Sequence, residues 1–292
     1  MSKIFPSSEL IINDDGSVFH LHVKPEQLAD KVILVGDPGR VSVVASFFDI
    51  RECEVESREF KTITGVYKGK RISVVSTGIG CDNIDIVMNE LDALANIDFR
   101  TRTEKPQLRS LEIVRIGTCG GLQSYTPVGT FVCSEKSIGL DGLLNFYAGR
   151  NDVCDLEFEQ AFLKHMGWQG NICSPAPYVI DGNKELLDRI AGNDMVRGVT
   201  VTAGGFFGPQ GRELRIPLAD PNQNAKIAAF EYNGYRITNF EMEGSALAGL
   251  ARLLGHRAMT VCMVVANRYA KEANTNYKGA IEKLITTVLE RL

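Results

Sequence analysis

Three short aliphatic runs in this sequence lead into glycine-bearing segments, and two of the three carry an arginine. Val32–Val35 leads into Gly36-Asp37-Pro38-Gly39-Arg40, and Ile72–Ser76 leads into Thr77-Gly78-Ile79-Gly80. Ile113–Ile116, which contains Arg115, leads into Gly117-Thr118-Cys119-Gly120-Gly121. Glycine lets backbone N–H groups face a ligand and lets that ligand approach the main chain. A turn that opens a helix adds a positive dipole end, which favours anions. Arg40 and Arg115 contribute fork-shaped, charge-assisted donors, and Thr118 contributes a hydroxyl. One such turn is ordinary punctuation, but three with two arginines predict an oxyanion pocket. The Walker pattern GxxxxGKS/T is absent, and Gly78-Ile79-Gly80-Cys81-Asp82-Asn83 breaks the dinucleotide fingerprint at Asn83. The expected ligand is therefore a small free anion such as phosphate.

Carboxylates and an amide–guanidinium pair complete the set. Glu241 and Glu243 lie two apart in Asn239-Phe240-Glu241-Met242-Glu243-Gly244-Ser245, so in extended backbone they point the same way. They fit either a helix start stabilised by acids in its first turn or carboxylates accepting from a vicinal diol, as on ribose. The segment Phe206-Phe207-Gly208-Pro209-Gln210-Gly211-Arg212 offers an amide and a guanidinium. Together these match the carbonyl, N–H, carbonyl edge of uracil.

The elements that must position these groups alternate between strand and helix. Lys31–Val35 reads as a buried strand and Val41–Phe48 as a helix. Glu54–Thr62, Val66–Tyr67 and Arg71–Ser76 read as strands, with a hairpin turn at Lys68-Gly69-Lys70. Ile84–Leu94 is spaced as a helix; Leu111–Ile116 and Thr130–Ser134 are strands, so Gly117–Gly121 is expected to turn. Helices are expected at Leu156–Lys164, Lys184–Ile190, Gly244–Leu254 and Ile281–Leu292, and strands at Val196–Thr202, Arg236–Phe240 and Ala258–Val265. Strands apolar on both faces indicate a sheet covered by helices on both sides. The polar stretch 97–110 reads as a surface insertion, and residues 1–19 as an N-terminal extension to a single α/β domain spanning 1–292.

Composition excludes several classes. The 292 residues are 44% apolar and 23% charged with a net charge of −4, which argues against bulk-charge binding of nucleic acid or membrane surfaces. No apolar run approaches the roughly 20 residues of a membrane span, and no signal peptide is read, so a cytoplasmic protein is expected. The seven scattered cysteines contain no CxxC and read as reduced thiols. The four histidines form no HExxH or other metal-ligand spacing, so no metal site is expected. His22, His165 and His256 read as structural or surface residues.

Taken together, HLHVKPEQLADKVILVGDPGRV (20–41), SREF (57–60), STGIG (76–80), IVRIGTCGG (113–121), FFGPQGRE (206–213) and FEMEGSAL (240–247) resemble the nucleoside phosphorylase family, and within it the uridine-cleaving members. The resemblance runs from about His20 to Leu292. It implies a three-layer α/β/α sandwich with a partly closed mixed β-sheet, and reversible phosphorolysis of uridine to uracil and ribose 1-phosphate. It implies that Gly36, Arg40, Arg115 and Thr118 bind phosphate, with Arg58 inserted from a neighbouring subunit. By the same resemblance His20, also from the neighbour, meets the ribose 5′-hydroxyl, and Met242 and Glu243 floor and hold the ribose. Phe206, Gln210 and Arg212 read the base, with Glu241 on the base side and Arg268 supporting the pair. The implied assembly is a homo-oligomer with sites shared across a dimer interface, using phosphate as co-substrate and no other cofactor.

The sequence departs from the family pattern at three places. Residues 97–110 lengthen the span before Arg115, which leaves dimer and hexamer both open. Glu59 and Ile79 match the place where some bacterial members hold a monovalent cation, whereas Asn83 replaces a serine there, so that cation is left open. Ala266 is smaller than the usual residue beside the base. Alternatives of other classes are a purine nucleoside phosphorylase or nucleosidase of the same fold, and a non-catalytic nucleoside-binding protein. Val264–Arg268 lacks the Ser-Asp pair that carries the base-protonating acid in purine members. Cys119 is expected to be a packing residue and not a nucleophile.

Overall fold

Alternation along one strand explains the layered architecture. In β1 (Lys31–Val35), Ile33 and Val35 enter one hydrophobic cluster while Val32 and Leu34 enter another, and all four are fully buried. A strand buried on both faces needs helices on both. The computed structural model describes residues 3–168, 176–274 and 276–292. After β1 come α1 (Pro38–Ala45), β2 (Ile50–Ser57), β3 (Phe60–Tyr67), β4 (Lys70–Ser76) and α2 (Cys81–Asn96). The small pair β5 (Ile97–Asp98) and β6 (Thr103–Glu104) precedes β7 (Glu112–Gly121) and β8 (Phe131–Gly139). Then follow α3 (Arg150–Val153), α4 (Leu156–Met166), β9 (Tyr178–Asp181), α5 (Lys184–Ile190), β10 (Val196–Thr202) and α6 (Gln223–Ala229). The chain closes with β11 (Glu231–Tyr232), β12 (Tyr235–Glu241), α7 (Gly244–Leu253), β13 (Arg257–Asn267), β14 (Glu272–Ala273) and α8 (Lys278–Arg291).

The main sheet has 12 strands in the order β11-β12-β10-β8-β13-β7-β1-β4-β3-β2, with β9 beside β8 and β14 beside β13. It is mixed: β1 is parallel to β4 and β7, and β13 is parallel to β7 but antiparallel to β8. A second contact of β12 with β7, through Asn239 opposite Gly121 and Phe240 opposite Gly120, closes β12, β10, β8, β13 and β7 into a ring. One cluster, with Val41, Val44, Leu186 and Leu284, fills the α1/α5/α8 side. Another, with Ile84, Met88, Leu247 and Leu250, fills the α2/α7 side. This is the expected sandwich with a partly closed sheet.

Several expected boundaries are corrected. The helix placed at Val41–Phe48 starts at Pro38 and ends at Ala45: proline suits a first helical position, and the Asp37 carboxylate accepts from Gly39 N at 2.8 Å. The strand placed at Glu54–Thr62 is two strands, reversed at Arg58, whose φ is +55°. The turn expected at Gly117–Gly121 does not exist. There β7 stays extended because β13 and β12 supply ladder partners out to Gly121. Tyr178–Asp181 and Gln223–Ala229 carry a strand and a helix that sequence periodicity does not reveal.

The 97–110 segment lies on the surface, anchored by Ile97, which packs with Leu10 and Ala93 and is flanked by Phe5 and Phe99. Arg102 Nε donates to the Phe5 carbonyl at 2.7 Å, tying the N-terminal extension to this insertion. Among the described residues no helix is long and apolar enough to cross a membrane.

Candidate active site

Arg115 sits at the centre, in the middle of β7 and almost fully buried. Its guanidinium folds back over Gly117, where a Cβ would stand 2.4 Å from Nη1 and 2.9 Å from Cys262 Sγ. The missing side chain is what makes room for the guanidinium. Nη2 donates to Glu243 Oε2, Nη1 lies 3.3 Å from Glu241 Oε2, and Nη1 meets Cys262 Sγ at 3.6 Å. The two acids thus point the same way, as their spacing predicts. Burial works against the Arg115 charge, but Glu243 and Glu241 more than offset it and hold the guanidinium firmly protonated.

The first two glycine turns meet beside this group. A Cβ on Gly36 would lie 3.3 Å from the Gly78 carbonyl, and Arg40 Nη1 donates to the Ile116 carbonyl at 3.3 Å. Arg40 is pushed below its usual range by burial, and the neighbouring Arg115 charge acts in the same direction. Such a pair of guanidinium groups is suited to an anion. Thr118 is half-buried on β7, and its hydroxyl has no partner among the described residues. Gly78 also brings Glu59 and Asn83 together: a Cβ there would lie 3.2 Å from Glu59 Cγ and 2.4 Å from Asn83 Nδ2.

The segment between β12 and α7 is held from several sides. Glu241 Oε2 accepts from the backbone N of Glu243 and of Gly244, both at 2.8 Å, and Thr202 Oγ1 donates to Oε1 at 2.5 Å. Glu241 therefore serves the first turn of α7. Its carboxylate is only 1% exposed and fully committed, which leaves the expected base contact without support. Burial pushes this carboxyl up, Arg115 opposes that, and the Glu243 charge adds to it. Glu243 instead uses Oε1 to accept from Gly80 N at 2.8 Å, joining the start of α2 to the start of α7. Cys81 Sγ donates to the Met242 carbonyl at 3.3 Å. Burial and the nearby Asp141, Glu241 and Glu243 push this thiol well up, so it stays a protonated donor.

The amide–guanidinium pair forms within its loop. Arg212 Nη1 donates to Gln210 Oε1 at 2.8 Å, and its guanidinium carbon stacks 3.6 Å from the Phe206 ring centroid. Gln210 is buried, and Phe206 is half exposed. Arg212 opens on a cavity of about 840 Å³ lined also by Leu140, Asp141, Phe207, Leu214 and Ile216. Arg268 is pushed down to about 10 by burial and by the Arg212 charge, and its Nε and Nη2 have no partner among the described residues.

His20 and Arg58 form a separate group. The His20 ring Nδ1 and backbone N both bond Glu90 Oε1, at 2.7 and 2.9 Å. Phe19 packs edge-on against His20, and Arg58 lies 5.6 Å over the Phe19 ring, exposed at its hairpin tip. Among the described residues no hydrogen bond or ion pair links either to Arg40, Arg115 or Glu243.

Of the remaining histidines, His256 is buried, with Nδ1 accepting from Leu111 N at 3.2 Å, and His165 bonds the Lys226 carbonyl at 2.8 Å. The six described cysteines are free, and Cys173 lies outside the described residues. Sequence reasoning misses Thr202, Asp141 and Tyr178, which carry no motif of their own, and gives Ser245, inside FEMEGSAL, no role.

Residues 30–291 match the sequence profile of the Phosphorylase superfamily. The chain belongs to this superfamily. Membership makes it a pentosyltransferase of the nucleoside phosphorylase kind. A uridine phosphorylase of Thermococcus kodakarensis is 30% identical to this enzyme over 280 residues, covering 93% of this chain and 85% of that protein. A DeoD-type purine nucleoside phosphorylase of Anoxybacillus flavithermus is 25% identical and covers 93% of this chain and 99% of its own length. A crystal structure of a Trypanosoma brucei nucleoside phosphorylase, described as showing uridine phosphorylase activity, superposes on the enzyme with a TM-score of 0.87. It shares 29% identity and covers 97% of this chain and 99% of that one.

Proposed function

We propose that this phosphorylase cleaves uridine with phosphate, reversibly, to uracil and ribose 1-phosphate. The observation that carries the base assignment is the Gln210–Arg212 pair: Arg212 occupies one lone pair of Gln210 Oε1 at 2.8 Å. That contact fixes the amide orientation, leaving the second Oε1 lone pair for an imide N–H and Nε2 for a carbonyl. The remaining Arg212 donors serve the other carbonyl. No carboxylate stands in Val264–Arg268 to protonate a purine. Uridine phosphorylases among the relatives support the same reading.

In this reading phosphate lies between Arg40, Arg115 and Thr118, and a second copy of the chain supplies Arg58 and His20. Met242 and Glu243 receive the ribose, with Glu243 accepting from its diol. Breaking the glycosidic bond puts positive charge on C1′ and negative charge on uracil. Phosphate stabilises and then attacks the first, while Gln210 and Arg212 stabilise the second. These are preorganised donors and charges, the arrangement that contributes most to such reactions. Clamping both substrates supplies orientation.

The test is a nucleoside panel assayed with and without phosphate, read as free base. Uridine cleavage that needs phosphate is expected. Equal base release without phosphate would show a hydrolase, and inosine turnover rivalling uridine would shift the reading to a purine enzyme.

A further inference from the structure

Asp141 lies just past β8, where no motif marks it, and its carboxylate gathers a backbone N–H of its own loop and hydroxyls from two other places in the fold. Leu143 N donates to Oδ1 at 2.8 Å. Tyr178 Oη, from β9, lies 2.9 and 3.0 Å from the two carboxylate oxygens, and Ser245 Oγ, from the first turn of α7, donates to Oδ2 at 3.0 Å. The two hydroxyl oxygens are themselves 2.9 Å apart. Tyr178 is fully buried, and β8 makes room for the arrangement: a Cβ on Gly139 would stand 2.3 Å from the Tyr178 ring and 2.8 Å from Ser245 Oγ. Burial keeps the Tyr178 phenol well above its usual pKa, so it remains a donor.

Ser245 sits two residues after Glu243 in the chain. Its backbone N donates to Thr202 Oγ1 at 2.9 Å, and Thr202 Oγ1 in turn bonds Glu241. The start of α7 is thus held at Ser245 N by Thr202 and Glu241, at Glu243 by Gly80 and Arg115, and at Ser245 Oγ, among the described residues, by Asp141 and Tyr178. We propose that Asp141 is a positioning residue for the sugar half of the reaction, fixing through Ser245 the first turn of α7 and with it Met242 and Glu243. The proposal rests on the reading of Glu243 as the diol-binding acid. Asp141 itself need not touch substrate. It acts on Glu243, which meets the 2′-hydroxyl, so its loss falls more on ribosides than on 2′-deoxyribosides.

The experiment compares Asp141→Asn and Ser245→Ala with the wild type, on uridine and 2′-deoxyuridine, at saturating phosphate and across a phosphate titration. Asn keeps one acceptor oxygen but replaces the other with a donor; Ser245→Ala removes one hydroxyl and introduces no bulk. Both variants are expected to lower kcat/KM for uridine on the order of 10-fold, the scale of a slightly misplaced group. The loss on deoxyuridine is expected to be several-fold smaller, while the phosphate KM follows Glu243 through its bond to Arg115 and changes alike with either sugar. Equal losses on both sugars would overturn the proposal. If wild type prefers inosine, the substrate reading fails but this one does not: the same ratio is read with inosine and 2′-deoxyinosine. Hydrogen exchange of the 241–250 peptide is measured on the same proteins. Faster exchange at the first turn of α7 in Asp141→Asn is expected, and unchanged exchange would overturn the proposal whatever the activity.

Discussion

Arg115 and Glu243 bond each other directly through Nη2 and Oε2, with both side chains about 95% buried. The guanidinium assigned to phosphate and the carboxylate assigned to ribose are therefore one electrostatic unit. Removing either leaves an uncompensated buried charge, so Arg115→Ala is expected to disturb both substrates. We expect a loss of at least ~100-fold in kcat, the scale of one lost transition-state donor, with KM raised for nucleoside as well as phosphate. Steady-state kinetics varying each substrate check this; an effect confined to phosphate KM would contradict the shared unit.

Gly117 gives a second handle on the same group. The Cβ of Gly117→Ala would stand 2.4 Å from Arg115 Nη1, so the guanidinium must move while the backbone remains in its ladder. A displacement of about 1 Å at a catalytic group costs roughly 100-fold. Activity is expected to fall to that degree while the far-ultraviolet spectrum stays that of wild type. Full activity in Gly117→Ala would show that Arg115 tolerates displacement.

Arg58 stacks on Phe19, which packs against His20, and the proposed function has both Arg58 and His20 serving the site of a second copy. Arg58→Ala and Arg115→Ala are each expected to be inactive. Mixing them under conditions of subunit exchange should restore activity, because each mixed dimer holds one site with both arginines. An active monomer at assay concentration would refute sharing.

Base choice is tested at Arg212. In the uridine reading its donors face a carbonyl that gains negative charge as the bond breaks, so its contribution would grow toward the transition state. Arg212→Leu is expected to lower kcat as well as raise KM for uridine. Wild type should reject inosine and adenosine by factors on the order of 10⁴, because a site built for specific hydrogen bonds leaves them unmade with the wrong base. Cytidine should fail because its amino group would face a guanidinium donor. Unchanged uridine turnover in Arg212→Leu would remove the pyrimidine assignment while leaving the phosphorylase assignment standing.

What the sequence determines by itself is local in its physics. Two-sided apolarity in Lys31–Val35 requires a sheet covered on both faces, and the structure has one. Glycines beside Arg40 and Arg115 mark where main chain and guanidinium groups converge, and the two-residue spacing of Glu241 and Glu243 sends both carboxylates to Arg115. The Gln210–Arg212 contact is also local, two residues apart within one loop.

The tertiary structure decided what depends on strands far apart in the chain. Extension of β7 through Gly117–Gly121, where a turn is expected from glycine content, follows from ladder partners on β13 and β12 that local propensity does not register. The same long-range pairing places Thr202 beside Glu241, which turns one of two neighbouring acids into the brace of α7 and leaves Glu243 to Gly80 and Arg115. It also brings Tyr178, Ser245 and Asp141 to one point, although no motif marks Tyr178 or Asp141 and the motif holding Ser245 gives that residue no role. Side-chain direction alternates with a period the sequence reveals, but the neighbour each side chain meets is set by sheet register and ring closure, which only the folded chain supplies.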